Sequence, residues 1–334
     1  MKVAFTSCMD PIDSPKQKVW KYIREHRPDL LILLGDNVYL DYGGTSDNWD
    51  NEEPQRLSDD EFARALYTRY QAQASIDNFR DAVNEIPRVE IIWDDHDFIG
   101  NISNGYDYRN ATTNDANNNP PRKHLISKAL FYQYSEWLNT RPLPVAYPAM
   151  PSMQAMLGQA DQGIQRHFDI DQTRFIMTDV RFYRQGRDEE AAGPDNPAGA
   201  ILGEEQQQWV RAKIEEWPGV KVICAGTALN SSSGWVTYPD YAWLKSLDLA
   251  NCVFATGDIH KAEIQYHDDL GVMEIVASGA ARPLAGKRFL FFKGGSKYYA
   301  ILDIEGEAVH ATAYKERKIL TRGSPNGPIT RNKK

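Results

Sequence analysis

Acidic, histidine, cysteine and tyrosine side chains follow four apolar runs of the 334-residue sequence, each where the run ends. In the densest segment, Asp94–Asp97, three carboxylates surround one histidine. Like charges this close raise one another's pKa and resist ionising together unless a cation lies among them. The four segments therefore predict a metal site, with these candidate ligands: Cys8, Asp10, Asp36, Tyr39, Asp94, Asp95, His96, Asp97, Asp258 and His260.

The four segments, "SCMD", "GDNVY", "DDHD" and "GDIH", come from distant parts of the chain. In open α/β sheets ligands bind at the carboxyl ends of the strands, so these segments could meet at one edge. Each residue taken singly also has a structural interpretation, because a carboxylate after a strand can cap a helix or a turn. Four acidic segments that all follow apolar strands favour the metal interpretation.

The types of ligand indicate the types of metal. Thiolate, imidazole and carboxylate groups bind zinc, iron or manganese, whereas oxygen-rich sets suit calcium, magnesium or manganese. A tyrosine hydroxyl has an ordinary pKa of about 10 and loses its proton readily only to a strong Lewis acid such as ferric iron. We predict two or more ions, in one mixed site and one oxygen-rich site, with Asp36 as the bridging ligand and a shared hydroxide as the attacking group.

The predicted elements would bring these residues to a sheet edge. Apolar runs alternate with helical segments over most of the chain, which predicts βαβ units. One helix is expected to start at a Ser14 cap, and another at Ser58, where Glu61 completes a capping box. The Asn-, Gly- and Pro-rich stretch 101–123 predicts a functional loop or lid. His267 is expected to be an exposed hairpin residue.

Composition excludes several classes of protein. The net charge of −8 and the pI of about 5.5 argue against nucleic acid as a binding partner. No apolar run reaches the length of about 18 residues that spans a membrane, and the amino-terminal segment lacks a secretory signal, so we expect a cytoplasmic protein.

The sequence shows no linker and no internal repeat, so we expect one catalytic domain over 1–314 and a basic, frayed tail over 315–334. The oligomeric state is left open.

Seven segments, spread in order over about residues 4–283, resemble the PhoD (alkaline phosphatase D) branch of the calcineurin-like metallophosphatase superfamily. They are "FTSCMDP", "PDLLILLGDNVY", "IIWDDHDFIGN", "FIMTDVRFYR", "LGEEQQQWV", "FATGDIH" and "ASGAARP". The resemblance implies a four-layer α/β sandwich, in which helices flank two mixed β-sheets and the metal centre lies at the sheet edge. It also implies a metal-dependent phosphatase or phosphodiesterase that acts on a small phosphoester.

The resemblance also implies an iron(III) site. By position, its ligands are Cys8, Asp36, Tyr39 and His260. The wider superfamily usually has Asp-x-His in the first segment and Asn-His-Glu or Asn-His-Asp in the third, whereas Cys8 and Asp95 replace those ligands here, as in the PhoD branch.

A second, oxygen-rich site is implied for Ca²⁺, or for Mn²⁺, Zn²⁺ or Mg²⁺. Asp36, Asp95 and Asp258 correspond to its ligands, and Asp94 and Asn230 are further candidates.

His96 corresponds to the superfamily histidine beside the transferred phosphoryl group. A histidine next to two cations can stabilise the equatorial oxygens or protonate the leaving alkoxide, so we predict that His96 is the catalytic side chain. Arginines could hold the non-reacting oxygens of the substrate. Arg181 is the first candidate, although it could pair with Asp179 instead, and the further candidates are Arg109, Arg122 and Arg282.

Two other functions remain open at this point. The same acids could hold structural calcium in a non-catalytic binding module, or they could form a binuclear hydrolase of amides or lactones. The physiological substrate and the preference for monoesters or diesters are also open.

Overall fold

Leucine- and β-branched-rich runs of the chain form two mixed β-sheets in the computed structural model. It describes residues 1–12, 14–41, 53–101, 103–106, 122–185, 199–232, 234–281, 297–325, 327 and 329–331. The strands of the first sheet are β1 (Lys2–Thr6), β2 (Leu30–Leu34), β3 (Arg88–Ile92), β10 (Tyr298–Glu305), β11 (Ala308–Lys315), β12 (Lys318–Gly323) and β13 (Thr330–Arg331). The second sheet contains β4 (Arg166–Ile170), β5 (Thr173–Met177), β6 (Val220–Ala225), β7 (Cys252–Thr256), β8 (Ala262–His267) and β9 (Val272–Ala277).

Parallel strands occupy the centre of the second sheet and one side of the first. The first sheet has the order β13-β12-β11-β10-β1-β2-β3, in which β1, β2 and β3 are parallel and β10 is antiparallel to β1. The second has the order β4-β5-β6-β7-β9-β8, in which β5, β6, β7 and β9 are parallel. Parallel strands buried on both faces need helices outside them, which the chain supplies.

The helices are short or amphipathic and lie outside the sheets. They are α1 (Val19–Glu25), α2 (Glu53–Arg56), α3 (Asp59–Ala74), α4 (Asp77–Glu85), α5 (Asp95–Phe98), α6 (Lys123–Asn139), α7 (Met153–Leu157), α8 (Gly203–Glu215) and α9 (Pro239–Leu244). The predicted capping box is confirmed at the start of α3, where the Ser58 side chain accepts from the Glu61 N–H and the Glu61 carboxylate accepts from the Ser58 N–H.

Alternate residues of the second sheet face two different cores, as the two-residue period of a strand requires. Met177 and Cys224 belong to the core shared with the first sheet, whereas Ile176 and Ile223 pack with Val210 of α8 in an outer core. The predicted four-layer α/β sandwich, with two mixed sheets and helices outside them, is confirmed.

Two expectations about the termini of elements are wrong. Helix α1 starts at Val19 rather than after Ser14, because Gln17 has a left-handed φ of +31° that interrupts the helix. The tail from 315 is not frayed over 318–323, because β12 pairs with β11 and the Thr321 hydroxyl accepts a hydrogen bond from the Ile264 N–H at 2.8 Å.

His267 is buried, not exposed as expected. It ends β8, and its Nε2 lies 2.7 Å from the carboxylate of Glu274, a fully buried residue of β9. The pairing of β8 with β9 places the His267 ring against Glu274. The local sequence around His267 does not show this contact.

Candidate metal centre

Polar side chains recur at one position, the second residue beyond the end of a parallel strand. Because β1, β2 and β3 run parallel, as do β5, β6 and β7, each set of strand ends lies at one edge of its sheet. The Ala280 N–H, in the loop after β9, donates to the carbonyl of Ser7, after β1, at 2.9 Å and so links the two edges. The residues at the recurring position are Cys8, Asp36, Asp94, Asp179, Thr227 and Asp258.

The first ligand group consists of Cys8, Asp36 and His260, whose ligand atoms all lie within 4.8 Å of one another. The Cys8 Sγ is 3.3 Å from the Asp36 Oδ2. The Tyr39 hydroxyl joins them, since it lies 3.1 Å from the same Asp36 oxygen and 3.2 Å from the His260 Nε2. The structure thus brings together the four residues expected at the iron-type site.

Asp36 also belongs to two other groups of the same size. One contains Asp94 and Asp258, and the other contains Asp95 and His96. The structure therefore divides the expected oxygen-rich set, because Asp95 groups with His96 while Asp258 groups with Asp94. Asp36 is common to all three groups, which is the geometry that a bridging ligand needs.

The acids of these groups carry oxygens that a cation would satisfy. The Oδ1 of Asp36 and the Oδ2 of Asp94 are buried and have no hydrogen-bond partner among the described residues. Burial, together with the Cys8 side chain, raises the pKa of Asp36 well above its usual range. Burial, with Asp94 and Asp95 nearby, raises the pKa of Asp258 to about 6. This set of donors fits metal ions, because a multivalent cation among them would favour the ionised forms.

The backbone of the ligand groups is strained. Four non-glycine residues of these groups have left-handed φ angles: Cys8 (+61°), Asp36 (+49°), Asp258 (+71°) and His260 (+51°). Non-glycine residues rarely adopt this conformation, and it persists where the surrounding structure enforces it, as at functional sites. The strand-end loops therefore hold these side chains in fixed directions.

Two glycines allow the loops to close around Asp94. Gly35 has a φ of +87°, and a Cβ there would lie 2.7 Å from the Cβ of Asp94. A Cβ at Gly226, after β6, would lie 2.7 Å from the Asp94 Cγ. Larger residues at either position would push Asp94 away from its ligand group.

His96 is held by a carboxylate that sequence reasoning missed. Its Nδ1 lies 2.6 Å from the Oδ1 of Asp41, and its ring packs on that of Tyr39 with the centroids 4.1 Å apart. Burial opposes the charged imidazole, but the carboxylates of Asp41 and Asp36 outweigh it and raise the pKa of His96 to about 10. The available signal was a second aspartate five residues after Asp36, in "GDNVYLD".

Ser278 is a second residue that sequence reasoning did not single out. Its hydroxyl lies 3.0 Å from the Cys8 Sγ and accepts a hydrogen bond from the His260 N–H at 2.8 Å. Burial raises the pKa of the Cys8 thiol, and the Ser278 hydroxyl acts in the opposite direction. Ser278 therefore supports two members of the first ligand group.

A family model described as PhoD-like phosphatase matches residues 3–221, which is more than half of the chain. This chain belongs to the PhoD-like phosphatase family. The matched range includes Cys8, Asp36, Tyr39 and the Asp94–Asp97 segment. The resemblance of the sequence to the PhoD branch is thereby confirmed.

Two further comparisons agree with the family. The PhoD-like chain is 26% identical over 295 residues to alkaline phosphatase D of Bacillus subtilis strain 168, a match that covers 78% of this chain and 46% of that protein. The chain thus spans about half the length of this curated relative. A solved structure of PhoD has the same fold, with a TM-score of 0.64 at 18% identity, and the match covers 99% of this chain and 71% of the other.

Three further candidates of the PhoD-like chain lie among the described residues, and none of them belongs to the ligand groups. Arg181 is buried, and its guanidinium contacts Asp94 and Asp95 rather than Asp179. Asn230 is exposed in the loop after β6, and Arg122 is half-buried just before α6. Arg109 and Arg282 lie outside the described residues, as does most of the predicted loop 101–123.

In the described part of the PhoD-like chain, every helix is too short or too polar to cross a bilayer.

Proposed function

We propose that the chain is a metal-dependent hydrolase of phosphoric esters. The observation that carries this proposal is the sharing of Asp36 by three ligand groups in a member of the PhoD-like phosphatase family. Two buried carboxylate oxygens without hydrogen-bond partners among the described residues support it. The name of the curated relative, alkaline phosphatase D, points to the same bond type.

The donor atoms suggest which metal each group would hold. Cys8, Tyr39 and His260 with Asp36 would hold iron(III), because a phenolate is favoured by a strong Lewis acid. Asp36 with Asp94 and Asp258 would hold calcium, or manganese, zinc or magnesium, and Asp95, which groups with Asp36 and His96, would be a further ligand of the same ion. When bound, the ions would supply positive charge for the phosphoryl oxygens and lower the pKa of water. Coordination of the metal ion by Cys8 would also require the Cys8 thiol to lose its proton.

The role proposed for His96 is proton transfer and charge stabilisation. The Asp41 carboxylate at 2.6 Å fixes the ring through Nδ1, and the Tyr39 ring restricts its rotation. A proton on the opposite nitrogen could stabilise an equatorial phosphoryl oxygen or pass to the leaving alkoxide. Asp41 would stabilise the charged form of the imidazole throughout.

The first experiment measures hydrolysis of p-nitrophenyl phosphate and bis(p-nitrophenyl) phosphate by the metal-loaded protein, with elemental analysis of protein purified without added metal or chelator. We expect turnover of at least one ester. For His96→Asn we expect kcat to fall roughly 100- to 10,000-fold, the range for a positioned proton donor, with the metal content retained. Wild-type turnover by His96→Asn would contradict its role, and hydrolysis of amides or lactones alone would refute the proposal.

A visible spectrum tests the iron assignment separately. Iron(III) bound to a tyrosinate gives a charge-transfer band, which we expect in the wild type and not in Tyr39→Phe. That substitution keeps the ring that packs on His96 and removes only the hydroxyl. A colourless protein without turnover, whose melting still depends on calcium, would favour a non-catalytic calcium-binding module.

A further inference from the structure

Arg181 contacts the ligand groups from the side of the second sheet. Its Nε donates to the Oδ1 of Asp94, and its Nη2 lies 3.4 Å from the Oδ2 of Asp95. The same Nη2 donates to the Thr227 hydroxyl at 3.2 Å, and Nη1 donates to the carbonyl of Ser103 at 3.4 Å. The guanidinium therefore joins the ends of β3 and β6 and the segment around Ser103.

The burial of Arg181 argues against contact with substrate. The side chain is 3% exposed, and each of its three nitrogens contacts a protein oxygen. A guanidinium that binds a phosphoester frequently presents two parallel N–H groups to it. Here those groups are turned towards Asp94, Asp95 and Thr227 instead.

The two oxygens of Asp94 have different surroundings. Its Oδ1 accepts from Arg181 and from the Thr227 hydroxyl, the latter at 3.3 Å. Its Oδ2 is buried without a hydrogen-bond partner among the described residues. Arg181 thereby fixes the rotation of the carboxylate, and this leaves Oδ2 as the oxygen available to the group with Asp36 and Asp258.

The backbone of Arg181 is held as firmly as its side chain. Its N–H donates to the Oδ1 of Asp179 at 2.9 Å, and its carbonyl accepts from the Gly105 N–H at 2.7 Å. Because both its backbone and its guanidinium are hydrogen-bonded, Arg181 fixes the position of Asp94 relative to the end of β5. Partners of this kind tune metal ligands, and their loss typically costs roughly 10- to 100-fold in metal affinity.

We propose that Arg181 is a positioning residue, which orients Asp94 and Asp95 for the oxygen-rich metal site and does not bind the substrate. The proposal rests on the metal binding that is part of the proposed function, and not on the reaction. It replaces the expectation that this arginine holds the non-reacting phosphoryl oxygens.

The test is calorimetric titration of Mn²⁺ into chelator-stripped protein. We expect Arg181→Gln to bind Mn²⁺ roughly 10- to 100-fold more weakly than the wild type, and Arg181→Lys to recover only part of this loss because it keeps the charge but not the planar fork. The KM for bis(p-nitrophenyl) phosphate at saturating Mn²⁺ should be unchanged. Unchanged or tighter Mn²⁺ binding, or a raised KM at saturating Mn²⁺, would overturn the proposal.

Arg174 provides a matched control. It is also a buried arginine of the β5 region, and it makes a two-pronged ion pair with Asp169 at 2.8 and 2.9 Å, away from the ligand groups. Arg174→Gln should lower the melting temperature and leave the Mn²⁺ affinity unchanged. If both variants lose Mn²⁺ affinity equally, the effect is general destabilisation and the proposal fails.

The titration separates this inference from the proposed function. It needs no turnover, so weaker Mn²⁺ binding by Arg181→Gln in a protein that hydrolyses no phosphoester would support the positioning role and refute the hydrolase. If the wild type hydrolyses phosphoesters but Arg181→Gln binds Mn²⁺ as tightly as the wild type, the proposed function is supported and the positioning role is refuted.

Discussion

Asp36 and Asp179 lie at equivalent positions, two residues beyond a buried parallel strand, but their surroundings are opposite in kind. Four N–H groups donate to the Asp179 carboxylate, from Trp93 (2.8 Å), Ile164 (2.9 Å), Arg181 (2.9 Å) and Phe182 (2.8 Å). Around Asp36 lie the Cys8 thiol and the Tyr39 hydroxyl, and its Oδ1 has no hydrogen-bond partner among the described residues.

The titration of the two acids reflects this difference. Burial raises the pKa of both, but the N–H donors oppose the rise at Asp179, whereas Cys8 and Asp95 add to it at Asp36. A buried carboxylate at a strand end is therefore not by itself a metal ligand. What distinguishes the two is whether the fold supplies N–H donors or other anions.

Exchange of each carboxylate for an amide gives the largest expected contrast. Asp36→Asn should lower kcat/KM for p-nitrophenyl phosphate by more than roughly 100-fold, the upper range for residues that only support a ligand, because Asp36 belongs to all three groups. Elemental analysis should show loss of metal from this variant.

Asp179→Asn is the control for this exchange. Its carboxylate binds N–H groups and belongs to none of the three ligand groups, so at saturating metal the folded variant should keep the wild-type metal content. Retention of metal and activity by Asp36→Asn would remove the distinction between the two acids.

The sequence could predict the strands and the edge at which they end. Runs such as "DLLILLGD" are apolar over the length of one strand and then change abruptly to polar residues, which marks both the strand and its loop. This pattern predicts ten candidate ligands in separate segments, and the family resemblance selects Cys8, Asp36, Tyr39 and His260 among them, which do meet in the structure. Local periodicity is sufficient for such predictions because it depends on neighbouring residues alone.

Contacts between distant loops could not be predicted in this way. Arg181 was expected to pair with Asp179 or with substrate, but it pairs with Asp94, 87 residues away in the sequence and at the end of a strand in the other sheet. The Asp41 partner of His96 and the Glu274 partner of His267 were missed for the same reason. Only the packing of two sheets decides which of several charged residues meet.

In the metal-free protein, Asp36→Asn and Asp179→Asn should change the free energy of unfolding in opposite directions. Asp179→Asn keeps a carbonyl oxygen for the three N–H groups at Oδ1 but turns an amide NH2 towards the Ile164 N–H, and leaving that buried donor without an acceptor typically costs about 1–3 kcal/mol. Asp36→Asn removes a buried acid whose ionised form is disfavoured by burial and by neighbouring anions, so the stripped variant should unfold at higher urea concentration than the stripped wild type. Urea unfolding in the presence of a chelator measures both. A loss of stability in both variants would show that the Asp36 carboxylate is satisfied without metal.

The smallest expected effect is the pH dependence of the stripped protein. An acid whose pKa is higher in the folded than in the unfolded protein stabilises the fold at low pH and loses that contribution as the pH rises through the folded value. For Asp258 this window runs from about 3.9, its ordinary value, to about 6. His96, whose pKa is raised to about 10, adds a loss of the same sign above its ordinary value of about 6.5.

The metal-loaded protein should not show this loss, because cations hold the carboxylates in their ionised form. The difference in melting temperature between loaded and stripped protein should therefore grow from about pH 4 to about pH 6, the window of Asp258, and Asp258→Asn should reduce that growth. Since a stability change of 1 kcal/mol shifts the melting temperature of a chain this large by only about 2–4 °C, calorimetry of matched samples is needed. A difference that shrinks with rising pH would mean that the crowded acids find their counter-charges within the protein, with Arg181 as the nearest candidate.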